Sequence, residues 1–188
     1  MSKKETTNVN LSSCSRLLHP MHTVLVSCAV KTAKPNIITL AWAMPTSADP
    51  PLVAISIRPE RHSYALIEET KEFVVNIPTM DILKETLFCG RKSGNKHDKF
   101  KETGLTPLPA RKVKPPIIKE CVAHLECKLH SQFATGDHTI FIGEIIEAYA
   151  DKEAFSEGEY DLKKAKMIFH VGGNEFATLR LRVFRPRL

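Results

Sequence analysis

The strongest constraint in the chain is a run of strict alternation. In residues 121–130, Cys121, Ala123, Leu125, Cys127 and Leu129 alternate with Val122, His124, Glu126, Lys128 and His130. A period of two sends successive side chains to opposite faces, so this spacing predicts a β-strand with one buried and one wet face. His124 and His130 are then surface residues of the wet face. The run HTIFIGEIIEAYA over 138–150 reads as its partner strand, with Gly136 and Asp137 as the turn and Gly143 as a bulge or bend.

Further strand-like runs flank this pair. They cover residues 22–30 (HTVLVSCAV), 36–43 (NIITLAWA), 52–58 (LVAISIR), 72–77 (EFVVNI) and 167–171 (MIFHV). Pro35, Pro50 and Pro51 punctuate them, as turn residues do. Helical signals are short: 63–70; 79–87, capped by Thr79; and a single turn over 98–103 stopped by Gly104. Residues 106–116 hold four prolines and read as a loop crossing the surface, and 151–166 as a polar excursion. No strand–helix alternation of the kind that builds a parallel sheet is present. At least six strands with only short helices predict a mainly β fold, an antiparallel closed barrel, because closure removes exposed sheet edges.

A length of 188 residues suits one domain, and 43% hydrophobic with 26% charged residues is ordinary globular composition. Residues 1–17 read as a flexible or loosely docked arm and 18–188 as the domain. No segment has the apolar length of a membrane span. The opening MSKKETTNVN lacks the apolar core of a secretory signal, so a cytoplasmic protein is expected. Five scattered cysteines with no C-x-x-C pair argue against disulfides, zinc and iron–sulfur clusters, and none is expected to be essential. No metal site is expected: Pro20 forbids a regular helix that would bring His19 and His22 onto one metal. Gly90 to Lys96 superficially has the look of a phosphate loop, but the spacing is wrong. The net charge of +6 fits an anionic cofactor, an acidic partner or nucleic acid. Arg180, Arg182, Arg185 and Arg187 read as a solvated tail. Nucleic-acid binding is disfavoured, since such barrels interleave exposed aromatics with basic residues and aromatics here are only 7%.

Five stretches carry the chemistry. They are Asn36 to Pro45 with the lone Trp42; the strand 52–58 leading through Pro59, Glu60, Arg61, His62 and Ser63 into a helix; Cys89-Gly90 followed by Asp98-Lys99-Phe100; Gly136-Asp137-His138; and Gly172 to Phe176. In wording and order they resemble the flavin reductase-like FMN-binding domain, in particular its flavoredoxin branch, over roughly residues 18–180. The resemblance implies an FMN-binding split β-barrel, a homodimer, FMN as cofactor, and NAD(P)H or a redox protein as electron donor. It implies a flavin-dependent oxidoreductase, with a non-enzymatic FMN carrier as the alternative.

The residue chemistry accommodates that implication. A flavin phosphate needs a helix N-terminus, a hydroxyl and cations, and Arg58, Arg61, Ser63 and Lys99 offer them. By themselves these residues read as a solvated turn with Ser63 as an ordinary helix cap, and it is the resemblance that reverses this reading. The ring needs backbone hydrogen bonds and an aromatic wall, for which Asn36, Thr39, Ala41, Trp42, Ala43 and Met44 are the candidates. Trp42 is otherwise a core aromatic, and Asn36 otherwise caps the turn after Pro35. His138 is the candidate for handling a proton, Trp42 for gating the ring, and Phe176, or alternatively Phe169, for stacking near it. No acid–base residue is assigned beyond these.

Overall fold

The computed structural model describes residues 5–30, 34–180, 183, 184 and 186. Seven strands form its principal sheet: β1 (Val24–Cys28), β2 (Asn36–Leu40), β3 (Ala43–Ala48), β4 (Pro51–Ile57), β5 (Glu72–Ile77), β6 (Ala123–Thr135) and β7 (His138–Ala150). Their spatial order is β2-β1-β5-β6-β7-β4-β3, antiparallel throughout. The two ends of that order, β2 and β3, are consecutive in the chain and separated only by Ala41 and Trp42. At about 3.6 Å per residue, Leu40 and Ala43 lie within about 11 Å of each other. The sheet therefore rolls until its edges meet, and the result is an antiparallel split β-barrel whose split is bridged by Ala41–Trp42. Ser56 of β4 donates its N–H to the Trp42 carbonyl at 3.0 Å, tying the link to the wall.

Val26, Ile55, Phe73 and Phe141 fill the barrel, joined by Leu66 and Ile67 of helix α1 (His62–Thr70). Each such side chain contributes about 1.5–3 kcal/mol of burial. Strand β1 is buried at every position because its outer face is covered as well. There Leu25 and Ile37 pack with Cys89 of α2 (Leu83–Arg91) and Phe100 of α3 (Lys99–Thr103). α3 is bounded as its sequence suggests: Asp98 accepts from the Lys101 N–H at 3.2 Å and Gly104 ends it at φ 75°. The β6–β7 hairpin turns at Gly136 with φ 62°. At Gly143 the register shifts in a bulge. A Cβ there would fall 2.9 Å from the Cys127 Cβ and run into the Phe73 ring, so packing admits only glycine.

Several expectations are corrected. His124 and Glu126 are not on a wet face: they are 6% and 0% exposed. The proline-rich segment 106–116 lies across that face. The N–H groups of Arg111, Lys112 and Val113 donate to the Glu126 carboxylate at 2.8, 2.6 and 3.3 Å, and the Tyr149 hydroxyl donates at 2.8 Å. His124 Nδ1 lies 2.8 Å from Asn76 Oδ1. His130 is exposed, as expected. Trp42 does not end a strand but sits in the link, and β3 (AMPTSA) had no legible alternation; its Pro45 is tolerated because the strand is an edge. Thr79 makes no capping bond; a 3-10 turn, Met80–Ile82, precedes α2, and Thr79 Oγ1 instead contacts Asp81 at 3.1 Å. The 167–171 run is only partly core: Phe169–Gly172 pairs with Met21–His22 and Glu175–Ala177 in a small separate sheet.

Within the segment read as an arm, Leu11–Leu18 forms a 3-10 helix, capped by Asn10 accepting from the Ser12 N–H at 2.9 Å. Of the C-terminal arginines, Arg180 is exposed, and Arg182, Arg185 and Arg187 lie outside the described residues. Among the described residues no helix is long and apolar enough to cross a membrane.

Candidate functional site

A cleft of about 670 Å³ opens at the split of the barrel. Its walls are β2, the Ala41–Trp42 link, the turn from β4 into α1, the end of α2, the 3-10 helix Leu11–Leu18 and the Gly172–Gly173 turn. Ten of the residues expected from sequence line it: Asn36, Thr39, Ala41, Trp42, Arg58, Arg61, Ser63, Lys99, His138 and Phe176. Ala43 and Met44 do not. Ala43 packs on the barrel core, while Met44 is 60% exposed away from the cleft. Of the two phenylalanines, Phe176 lines the cleft, and Phe169 packs on the core and against His22.

Local chemistry fixes several of these groups. The buried Asn36 donates from Nδ2 to Ser63 Oγ at 2.8 Å, joining β2 to α1. Ser63 is therefore no helix cap: Arg61 holds the cap position without a side-chain bond, and Ser63 lies in the first turn. Thr39 Oγ1 donates to the Thr86 carbonyl at 2.6 Å. Lys99 Nζ, almost wholly buried, donates to the carbonyls of Ile37 and Cys89 at 2.6 and 2.7 Å. An ammonium has three donors, so one N–H is left over from these two bonds. Burial lowers the Lys99 pKa, and burial followed by the Lys99 charge lowers that of His62. Burial pushes the thiols of Cys28 and Cys89 up to about 11, which keeps them protonated at neutral pH.

Trp42 and His138 face each other at 4.8 Å between ring centroids and 35° between planes. His138 Nδ1 lies 2.6 Å from Asp137 Oδ1, and Asp137 Oδ2 lies 2.6 Å from Arg58 Nη2. The hydrogen bond from His138, with the nearby Arg58 charge, holds the Asp137 carboxyl below its usual range. An ionised carboxylate only accepts, so Nδ1 carries a ring proton.

Among the described residues six lysines and arginines line the cleft, namely Arg16, Arg58, Arg61, Arg91, Lys92 and Lys99, against one carboxylate, Glu60. Only Arg58 among the six is in an ion pair among the described residues. Such a donor set, with hydroxyls and an indole–imidazole wall, fits a ligand that joins a phosphate to an aromatic ring. Sequence reasoning missed the contributions of Ser12, Ser13, Ser15, Arg16, His19 and His170. It also set aside the Gly90–Gly94 stretch, which does line the cleft. A Cβ at Gly94 would lie 2.7 Å from His62 Cδ2 and collide with Asn36, so the loop approaches β2 as only glycine allows. Among the described residues no group of three potential metal ligands occurs.

Comparison with known proteins agrees with this geometry. The model of the "Flavin reductase like domain" matches residues 15–172. The flavoredoxin of Desulfovibrio vulgaris (Miyazaki F) superposes with a TM-score of 0.85 at 28% identity, covering 97% of this chain and 96% of its own. The flavoredoxin from Methanosarcina acetivorans gives 0.80 at 27% identity over 98% and 95%. An uncharacterized protein of Archaeoglobus fulgidus is 39% identical over 170 residues, 90% of this chain and 94% of its own.

Proposed function

As the chain belongs to the flavin reductase-like family, we propose that it is an FMN-binding oxidoreductase passing electrons from NAD(P)H or a redox protein to an acceptor. The observation that carries this reading is the convergence, at the barrel split, of unpaired cations and a helix start on one side with the Trp42–His138 pair on the other. Bound FMN would supply hydride and single-electron transfer. The chain's own residues do the rest. Arg61 and Ser63 at the start of α1, with Lys99 of α3, hold the phosphate. Arg58 is shared with Asp137 and so fixes His138 while adding positive charge. Trp42 and the backbone of the link bound the ring and exclude water from one side. His138 takes or gives a proton at Nε2. The working unit is a homodimer, consistent with the exposed Trp42, Met44 and Phe133.

The test is the absorption spectrum of the purified protein, with the acid-released cofactor identified by chromatography. FMN is expected; FAD alone, or no flavin after reconstitution, defeats the reading. Steady-state oxidation of NADH or NADPH then separates an enzyme from a carrier, since a carrier binds FMN but does not turn over.

A further inference from the structure

The flavin reading draws on the cations near α1 and leaves a second group unused. Four basic side chains gather around the Gly172–Gly173 turn. Arg91 Nη2 donates to the Gly173 carbonyl at 2.6 Å, and His170 Nε2 lies 3.2 Å from the same oxygen. His19 Nδ1 sits 2.9 Å from the His170 carbonyl, and the two imidazoles are 5.2 Å apart. The Arg16 guanidinium reaches to 3.5 Å from where a Gly172 Cβ would be. All four residues line the cleft, and none has a carboxylate partner among the described residues.

Holding the turn does not account for this arrangement. One carbonyl engages a single N–H of Arg91 and leaves its other donors over, and crowding like charges is unfavourable unless an anion joins them. Burial lowers the His170 pKa, the hydrogen bond to Gly173 opposes this, and the neighbouring His19, Arg16 and Arg91 lower it further.

We infer that the Gly172–Gly173 end of the cleft is a second anion subsite, in which Arg16 and Arg91, assisted by His19 and His170, hold a phosphate group carried by the reaction partner. Resting on the flavin reading, this places the flavin phosphate at α1 and the partner's phosphate at the 3-10 helix. Two arginine forks match phosphate geometry. The partner is either a phosphorylated nicotinamide dinucleotide or a smaller phosphate compound.

Calorimetric titration of the purified, FMN-supplemented protein tests it with two probes, adenosine 2′,5′-bisphosphate and inorganic phosphate. The bisphosphate is expected to bind, and Arg16→Gln/Arg91→Gln to weaken it roughly ten- to hundredfold with FMN affinity unchanged. Binding of inorganic phosphate alone, lost in the same variant, supports the subsite and assigns it the smaller compound. Neither probe binding, or equal binding by a variant whose circular dichroism matches wild type, overturns the inference. So does an equal loss of FMN affinity, which would make these cations part of the flavin site. A wild type that binds the bisphosphate but no FMN keeps the subsite and defeats the flavin reading.

Discussion

Arg61, Ser63 and Lys99 are assigned to the same phosphate, yet their neighbours give them different second duties. Arg61 can be truncated with little else disturbed, whereas Ser63→Ala also removes the acceptor of the buried Asn36 side chain. Arg61→Ala and Ser63→Ala should each weaken FMN roughly ten- to hundredfold while leaving riboflavin, which has no phosphate, almost unaffected. Trp42→Ala should weaken both flavins alike, since they share the ring. Fluorescence titration of each variant with both ligands checks this, and equal losses for Ser63→Ala would remove it from the phosphate site. Lys99 is also a strut: its two carbonyl bonds join β2 to the end of α2. Lys99→Ala should therefore lower the melting temperature as well as FMN affinity. Cys89 lines the cleft as a buried thiol pushed up to about 11, so Cys89→Ala should leave bound flavin reducible, as bleaching of the flavin absorbance would show. Ten of the twelve residues expected at the site meet in the cleft because their motifs carry their own chemistry: a hydroxyl, a cation, an indole. Arg16 and His170 were illegible for the opposite reason. Nothing in their local sequence marks them, and only the tertiary placement of the 3-10 helix and the small sheet brings them in.

Strand β6 shows what alternation conveys and what it omits. The pattern over 121–130 separates two faces but registers only polarity, so a polar face covered by a loop looks the same as a wet one. Burial pushes the His124 pKa down to about 4. An unfolded histidine titrates near 6.5, so the unfolded chain binds the proton first. His124 thus contributes stability that is complete above about pH 6.5 and lost as the pH falls toward 4, about 1–3 kcal/mol in all. For Glu126, burial alone would raise the pKa, but the N–H groups of Arg111, Lys112 and Val113 with the Tyr149 hydroxyl outweigh it and hold the carboxyl low. Its contribution likewise disappears in acid, at still lower pH. Thermal melts should show a falling midpoint between pH 6.5 and 4, and His124→Gln should flatten that part of the curve. A wild-type midpoint independent of pH there would contradict the buried neutral imidazole. Gly143→Ala in β7 should cost about 1–3 kcal/mol through collision with Phe73, read as a lower denaturant midpoint.

At the level of the whole molecule, the barrel was legible because seven strand-like runs and few helices leave little else to build, and the family resemblance rested on motifs in a fixed order. Strand β3 was not legible, since an edge strand facing solvent needs no apolar pattern. The proposed dimer predicts a mass by light scattering near twice the 21.1 kDa of one chain at micromolar concentration; the mass of a single chain would contradict it. The link Ala41–Trp42 has a consequence of its own. It is at once the clasp that shuts the cylinder and part of the cleft lining, so its length is set by architecture before any ligand is considered. The lining contributed by the 3-10 helix Leu11–Leu18 carries no such duty. A descendant of this chain is therefore free to rewrite that rim, and with it the choice of reaction partner, while the clasp passes unchanged from one specificity to the next.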